Sequence, residues 1–198
     1  MSEQALFPVF LKLEGRPVLL VGGGAVASAR LAELVKAGAL VTVVAPNVRP
    51  AILSFPGVIV AEREFHPSDL DRVWFAVAAA TPEVNRRVGE AAAERRVFVN
   101  AVDDAERASA YTGGVFRRGG VTIAVSTEGR APALAGLLRE GLEAVVPEDV
   151  EAWVASARRL RHEQRAAGIP MADRRPLLLR ALNRLYEAKG IAVQVVAS

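Results

Sequence analysis

Short apolar runs alternate with segments of helical period between residues 18 and 125 of the chain. The runs are rich in valine and show little polar alternation, which is typical of strands that are buried on both faces of a parallel sheet. Thr81 and Pro82 mark a helix start, and Gly38 marks a helix end. The predicted strands are 18–21, 40–44, 58–61, 73–79, 97–102 and 121–125, and the predicted helices between them are 25–36 and 82–94. The alternation predicts an α/β fold with a doubly wound, Rossmann-type parallel sheet.

After residue 125 the pattern predicts helices only, at 133–145, 150–167 and 176–189. Pro147 ends the first, Gly168 and Pro170 separate the next two, and Gly190 precedes a tail of strand-like composition. We therefore predict a Rossmann domain at 1–111, a small dimerisation segment at 112–147 and a helical C-terminal domain at 148–198. The middle part is assigned to dimerisation because its strand and apolar helix offer more hydrophobic surface than one chain covers.

The composition excludes several classes of protein. The 198 residues include no cysteine, which excludes a disulfide framework, a thiolate metal site and a cysteine nucleophile. No apolar run approaches the roughly 20 residues of a membrane-spanning helix, and the first residues lack the basic start of a secretory signal. His66 and His162 have no neighbours at metal-ligand spacing, so we predict no stored metal. We expect a cytoplasmic protein that contacts no membrane.

Arginine supplies almost all of the positive charge. The net charge is only +3, and the three lysines are Lys12, Lys36 and Lys189. Because arginine presents a rigid fork of donors to carboxylates and phosphates, a multiply anionic ligand is one explanation. An arginine-rich surface without any ligand is an equally good one. Nucleic-acid binding is disfavoured, since the net charge is small and the sequence holds no helix-turn-helix or aromatic platform.

A glycine-rich turn follows the first predicted strand and opens the first predicted helix. Its sequence is Gly22-Gly23-Gly24-Ala25-Val26-Ala27. In a dinucleotide-binding turn the first glycine permits a tight bend, the second lets the backbone approach a pyrophosphate, and the third position keeps the helix close to the strand. Gly22, Gly24 and Ala27 match these roles, and the N–H groups of the helix start then face the phosphates. The alternative is a turn that binds no ligand.

The end of the second predicted strand leaves the choice of dinucleotide open. Many dinucleotide folds place Asp or Glu there to bind the ribose hydroxyls, whereas this chain reads Ala45-Pro46-Asn47. Asn47 is a candidate partner for the ribose, or else a plain turn residue. Without a carboxylate a 2′-phosphate meets no repulsion, and Arg49 is a candidate partner for such a phosphate.

Motifs spread between residues 7 and 147 resemble one known family. They are FPVFLKLEGRPVLLVGGG (7–24), AP (45–46), EREF (62–65), AAT (79–81), NRRV (85–88), VNAVD (99–103) and IAVSTEGRAPALA (123–135). Together they resemble the precorrin-2 dehydrogenase family of sirohaem synthesis, some members of which are also ferrochelatases. The resemblance implies NAD-dependent oxidation of precorrin-2 to sirohydrochlorin by a homodimer, with ferrous iron as a further substrate wherever it is inserted.

The resemblance also implies roles for individual residues. Asp103, after the predicted strand 97–102, matches the family's functional aspartate and is the candidate catalytic base, whereas strand alternation turns Asp104 away. The alternative for Asp103 is a turn or capping residue. The implied cofactor contacts are Gly22, Gly23, Gly24, Ala25, Val26, Pro46, Asn47, Thr81, Asn100 and Val102. Candidate contacts to the substrate and its carboxylates are Arg117, Arg118, Ser126, Thr127 and Arg130, with Arg158, Arg159, Arg161 and Arg165 on the helical part.

One function of another class stays open. A nucleotide-sensing dimeric regulatory protein would use the same glycine turn, but it would need no carboxylate after strand 97–102. Turnover of precorrin-2 separates this reading from the dehydrogenase.

Overall fold

The computed structural model describes residues 5–102, 104 and 106–187, with side chains described as far as residue 183. Contacts divide the chain into two compact units. The first unit comprises Met1–Gly113 and Ser126–Pro132, and the second comprises Gly114–Val125 and Ala133–Ser198. The division into a sheet domain, a dimerisation segment and a helical domain stays a prediction.

A five-stranded sheet forms the centre of the first unit. All of its neighbouring strands run parallel, in the spatial order β3-β2-β1-β4-β5. The strands are β1 (Pro17–Val21), β2 (Leu40–Val44), β3 (Ile59–Ala61), β4 (Phe75–Ala78) and β5 (Phe98–Ala101). The strand order steps from β3 to β1 and then reverses direction to β4, so the switch point lies beside β1.

Helices cover the sheet on both faces. They are α1 (Ala25–Lys36), the one-turn α2 (Pro50–Leu53) and α3 (Pro82–Arg95), with a 3₁₀ turn at Pro67–Leu70. Val18 and Leu20 of β1 pack in one core cluster with residues of α1, while Leu19 and Val21 pack in a second cluster with residues of α3. None of these four β1 residues is more than 2% exposed. The predicted doubly wound α/β fold is confirmed.

The second unit contains a β-hairpin and three helices. The hairpin joins β6 (Gly114–Arg118) to β7 (Val121–Val125) in antiparallel register through Gly119 and Gly120. Both glycines have positive φ, +52° and +83°, as the mirror-image hairpin turns require. The helices are α4 (Pro132–Val145), α5 (Val150–Ala166) and α6 (Met171–Glu187).

The second unit departs from the prediction in two places. The predicted strand 121–125 forms, but it pairs with β6, which was not predicted, and does not join the parallel sheet. Helix α6 begins at Met171, ahead of the predicted start at Pro176, which lies inside the helix. The predicted helix end near Gly190 and the strand-like tail lie outside the described residues. Within the described ranges, no helix is both long and apolar enough to cross a membrane.

Candidate nucleotide-binding site

Two glycines of the turn after β1 face protein atoms. Gly22 has φ +132°, and a Cβ there would lie 2.2 Å from the carbonyl oxygen of Ala79. A Cβ on Gly23 would lie 1.9 Å from the carbonyl oxygen of Asn47. The Arg49 N–H donates to the Gly23 carbonyl over 3.0 Å, so the loop after β2 is fastened to the turn. Only glycine fits at these two positions, because a methyl group would overlap backbone of the neighbouring strand ends.

Gly24 faces open space instead. A Cβ built on it would meet no atom within 4 Å, and its φ of −85° is one that any residue adopts. Gly24 is the N-cap residue of α1 and offers no side chain to the first N–H groups of that helix. Ala25 and Val26 are exposed, whereas Ala27 is fully buried against the sheet. The outer side of the turn therefore presents free N–H groups at the positive end of a helix dipole, with no acidic residue in the first turn.

The loop after β2 lies next to this turn and carries polar groups outward. Ala45 is buried, while Pro46, Asn47 and Arg49 are exposed. The backbone of Asn47 is the part that contacts Gly23, so its side chain is not required for that contact. Asn47 and Arg49 are the two exposed side chains of this loop that are candidates for contacts to a ribose or a 2′-phosphate.

Asn85 joins the ends of β4 and β5 and was missed by the sequence analysis. This residue of α3 is only 3% exposed. Its Oδ1 accepts from the Ala80 N–H over 2.9 Å, and its Nδ2 donates to the Val102 carbonyl over 3.1 Å. The available signal was a polar residue on the helix face that also carries the buried Val88 and Ala92.

Thr81 is the N-cap residue of α3, as predicted, but its exposed side chain makes no capping hydrogen bond. Its carbonyl accepts from the Asn85 N–H over 2.9 Å. Glu83 in the first turn forms an ion pair with the guanidinium of Arg86, three residues further along the helix, and this hydrogen bond lowers the pKa of Glu83. The Glu83 charge is thus paired with an arginine beside the predicted cofactor contact.

Asn100, a predicted cofactor contact, uses its side chain within the protein. The residue is 6% exposed, its Nδ2 donates to the Ala110 carbonyl over 3.0 Å, and its Oδ1 accepts from the Thr112 hydroxyl over 3.3 Å. These bonds hold the segment after residue 108 along the edge of β5. Val102, half-buried, extends the sheet by donating its N–H to the Ala78 carbonyl over 2.9 Å.

Asp103, the predicted catalytic residue, lies outside the described residues. Its neighbour Asp104 is half-buried and accepts hydrogen bonds from the backbone N–H and the guanidinium of Arg107, at 3.3 Å each. Asp104 is thus engaged in a local turn.

The predicted substrate contacts divide between the two units. Ser126, Thr127 and Arg130 belong to the first unit, and Arg117 and Arg118 belong to the second. The hydroxyls of Ser126 and Thr127 accept from the N–H groups of Glu128 and Ala131, at 3.1 and 3.2 Å, and Arg130 pairs with Glu128 at 3.2 Å. These bonds give the loop a defined shape.

Arg117 and Arg118 differ in exposure and in the contacts that their side chains make within the protein. Arg117 is exposed on β6. The Arg118 guanidinium donates to the Val146 carbonyl over 2.6 Å and lies 4.9 Å from the ring centre of Phe116. Arg118 therefore serves packing within its own unit, and Arg117 is the freer candidate for an anionic substrate. In the part of the chain that the structure describes, no group of three His, Cys, Asp or Glu residues is placed to hold a metal ion.

Two family models match parts of this chain. Residues 9–114 match the model of the family described as "Putative NAD(P)-binding". The chain belongs to this NAD(P)-binding family. Residues 118–144 match a second model, that of the sirohaem biosynthesis protein central region.

Curated relatives and a solved structure agree with this assignment. Siroheme synthase 3 of Aeromonas hydrophila is 41% identical over 91% of this chain and 40% of its own length. The siroheme synthase of Zymomonas mobilis is 34% identical over 92% of this chain and 40% of its own length. The chain therefore spans about 40% of the length of these relatives. A structure titled "SirC, precorrin-2 dehydrogenase" is 27% identical and covers 88% of both chains with a TM-score of 0.71. The resemblance predicted from the motifs is confirmed.

Proposed function

We propose that this protein oxidises precorrin-2 to sirohydrochlorin with NAD⁺ as the hydride acceptor. The observation that carries the proposal is the open outer side of the glycine turn at the carboxyl edge of a parallel sheet, where a Cβ on Gly24 would meet no atom within 4 Å. Dinucleotides bind at such an edge. The reaction itself is supported by the names of the relatives, which are siroheme synthases and a precorrin-2 dehydrogenase.

The residues around the turn fit a dinucleotide. The N–H groups at the start of α1 suit a pyrophosphate, and the exposed Asn47 suits a ribose. When bound, the nicotinamide accepts a hydride. We favour NAD over its 2′-phosphorylated form because the family that the motifs resemble uses NAD, although Arg49 is the residue that would bind a 2′-phosphate. Calorimetric titrations with both cofactors test this preference.

We assign the proton to Asp103. Precorrin-2 loses two hydrogens, one as a hydride to NAD⁺ and one as a proton, so that sirohydrochlorin, NADH and a proton are the products. Asp103 follows Val102, whose N–H still bonds to β4. A carboxylate in this position of the chain would accept the proton while the hydride leaves toward the cofactor.

Arginines are proposed to receive the carboxylates of the tetrapyrrole. Arg117 and Arg130 are exposed, and a guanidinium binds a carboxylate through two parallel hydrogen bonds. Ser126 and Thr127 are the proposed neutral contacts. Ferrous iron, if it is inserted into the product, is a substrate of the protein and not a resident metal.

We also propose that two copies associate through residues 112–147. Helix α4 exposes a row of large apolar side chains at helical spacing, namely Leu134, Leu137, Leu138, Leu142 and Val145. Such a continuous apolar row on a helix is typical of a protein interface. The cytoplasmic location expected from the sequence stays a prediction.

The experiment that tests the reaction is anaerobic incubation with NAD⁺ and enzymatically generated precorrin-2. We expect sirohydrochlorin absorbance to rise together with one NADH per product. Binding of NAD⁺ without any product would reject the dehydrogenase and favour a nucleotide-sensing regulatory protein.

A further inference from the structure

The parallel ladder between β4 and β5 ends in an unusual way. Its last backbone bond runs from the Val102 N–H to the Ala78 carbonyl over 2.9 Å. In a parallel ladder, a residue donates its N–H to one residue of the neighbouring strand, and its carbonyl accepts from the residue two positions further along that neighbouring strand. The next bond in register would therefore run directly from the Ala80 N–H to the Val102 carbonyl.

The side chain of Asn85 occupies the place of that bond. Its Oδ1 takes the Ala80 N–H at 2.9 Å, and its Nδ2 gives a hydrogen to the Val102 carbonyl at 3.1 Å. A carboxamide thus stands between two backbone groups that would otherwise bond to each other. The Ala80 N–H and the Val102 carbonyl are thus joined through an amide group and not by a direct hydrogen bond. The two chain segments therefore lie further apart here than at their last direct backbone hydrogen bond.

The Asn85 side chain is buried, and both ends of its carboxamide are hydrogen-bonded. Asn85 is 3% exposed, and its own N–H donates to the Thr81 carbonyl over 2.9 Å. The residue therefore also ties the first turn of α3 to the same strand ends. A buried polar group with both its donor and its acceptor satisfied fixes local geometry, because losing either bond leaves an unpaired group.

We propose that Asn85 is a positioning residue, a carboxamide spacer that keeps the ends of β4 and β5 apart and so sets the gap between Thr81 and Val102 that receives the cofactor. This inference rests on the proposed cofactor site. Both Thr81 and Val102 are predicted cofactor contacts. Thr81 directly follows Ala80, whose N–H Asn85 binds, and Val102 carries the carbonyl that Asn85 binds.

Two substitutions remove the spacer in different ways. Asn85→Ala lets the Ala80 N–H bond directly to the Val102 carbonyl and so closes the gap. Asn85→Asp keeps the size of the side chain and the bond from Ala80, but it sets a carboxylate against the Val102 carbonyl and pushes that segment away. We expect either change to weaken NAD⁺ binding by about tenfold, the effect of disturbing one buried hydrogen-bonded contact.

Val88→Ala is the matched control. Val88 is fully buried on the same helix and belongs to the core against the sheet. Its truncation lowers the melting temperature, but it should leave NAD⁺ affinity of the folded protein within about twofold, since it touches no hydrogen bond at the strand ends.

The NAD⁺ affinities of the parent and the variants are compared by isothermal titration calorimetry at a temperature where every variant is folded. Weaker binding by Asn85→Ala or Asn85→Asp, with normal binding by Val88→Ala, supports the spacer. If Asn85→Ala does not fold, Asn85→Asp alone decides by the same readout. Equal affinity of the Asn85 variants and the parent overturns the spacer alone. A parent protein that binds NAD⁺ but fails to oxidise precorrin-2 overturns the proposed reaction and leaves the affinity comparison valid.

Discussion

The two units of the chain differ in how many of their apolar residues are buried. In the first unit, β1 is enclosed between two core clusters, and its Leu20 is 0% exposed. In the second unit, Phe116, Ala135 and Val150 are the buried apolar residues among those described, while Leu137 of α4 is 66% exposed. The first unit therefore has an enclosed core of its own, although it also exposes apolar side chains such as Phe7 and Phe10, whereas the second buries few apolar residues and exposes the row on α4 that fits the proposed second copy.

The largest expected effect lies in the chemistry of the first unit. Asp103→Asn keeps the size and hydrogen-bonding shape of the side chain but removes its basicity. The rate of precorrin-2 oxidation should fall by roughly 10² to 10⁴ while NAD⁺ still binds. Initial rates measured anaerobically at saturating NAD⁺ check this expectation.

Asp104→Asn is the control for that experiment. An asparagine oxygen can still accept from the Arg107 N–H, as Asp104 does at 3.3 Å, so the rate should stay within about threefold of the parent. A parental rate for Asp103→Asn would mean that the proton leaves to water or to another group.

A smaller effect is expected in the second unit. Leu137→Glu places a charge in the middle of the exposed row on α4, and an interface centred there should weaken by at least about 30-fold, or ~2 kcal/mol. Light scattering at micromolar concentration should show a dimer for the parent and a monomer for this variant. Leu53→Glu, at a residue of α2 that is 56% exposed, is the matched control and should stay dimeric. A monomeric parent would contradict the proposed interface.

The smallest effect concerns the pH dependence of the first unit. The Arg63 guanidinium hydrogen-bonds Asp69 and lowers the pKa of that carboxyl, which also accepts from the His66 N–H over 2.9 Å. Because the pKa of Asp69 is lowered in the folded protein, its ionised form stabilises the fold at pH values above the ordinary Asp pKa of about 3.9. This stabilisation is lost as the pH falls through the lowered pKa.

Asp69→Asn should therefore lower the melting temperature by about 3 °C near pH 7, as for one solvent-accessible ion pair. The difference between the parent and the variant should shrink on acidification to about pH 3. A difference that stays constant over this range would show that the capping hydrogen bond, and not the charge, stabilises the turn.

Local signals made much of the first unit predictable. The glycine turn carries its own signature, because Gly22 needs a positive φ and both Gly22 and Gly23 leave no room for a Cβ. Helix α1 matches its predicted bounds, since an N-terminal glycine turn and Gly38, with φ +77°, frame it in the sequence.

What the sequence analysis missed depends on contacts between distant residues or on weak local patterns. Strand β6 begins with glycine and ends with two arginines, so it lacks the β-branched run that identified the other strands, although Gly119-Gly120 was an available hairpin signal. Asn85 acquires its role only from the register of β4 against β5. Pro176 is typical of a helix start, yet α6 begins earlier and contains it.

We propose that the glycine turn after β1 divides into a part that builds the fold and a part that binds the cofactor. The most direct test is NAD⁺ titration of the parent and Gly24→Val, with the melting temperature of Gly23→Ala beside them. Gly23→Ala should lose about 2 kcal/mol or more, since its Cβ would lie 1.9 Å from the Asn47 oxygen. Gly24→Val should stay folded, at a cost of about 1 kcal/mol at the N-cap, but bind NAD⁺ at least tenfold more weakly, by about 1.4 kcal/mol. Equal NAD⁺ affinity of Gly24→Val and the parent would show that the cofactor does not bind at the outer side of this turn.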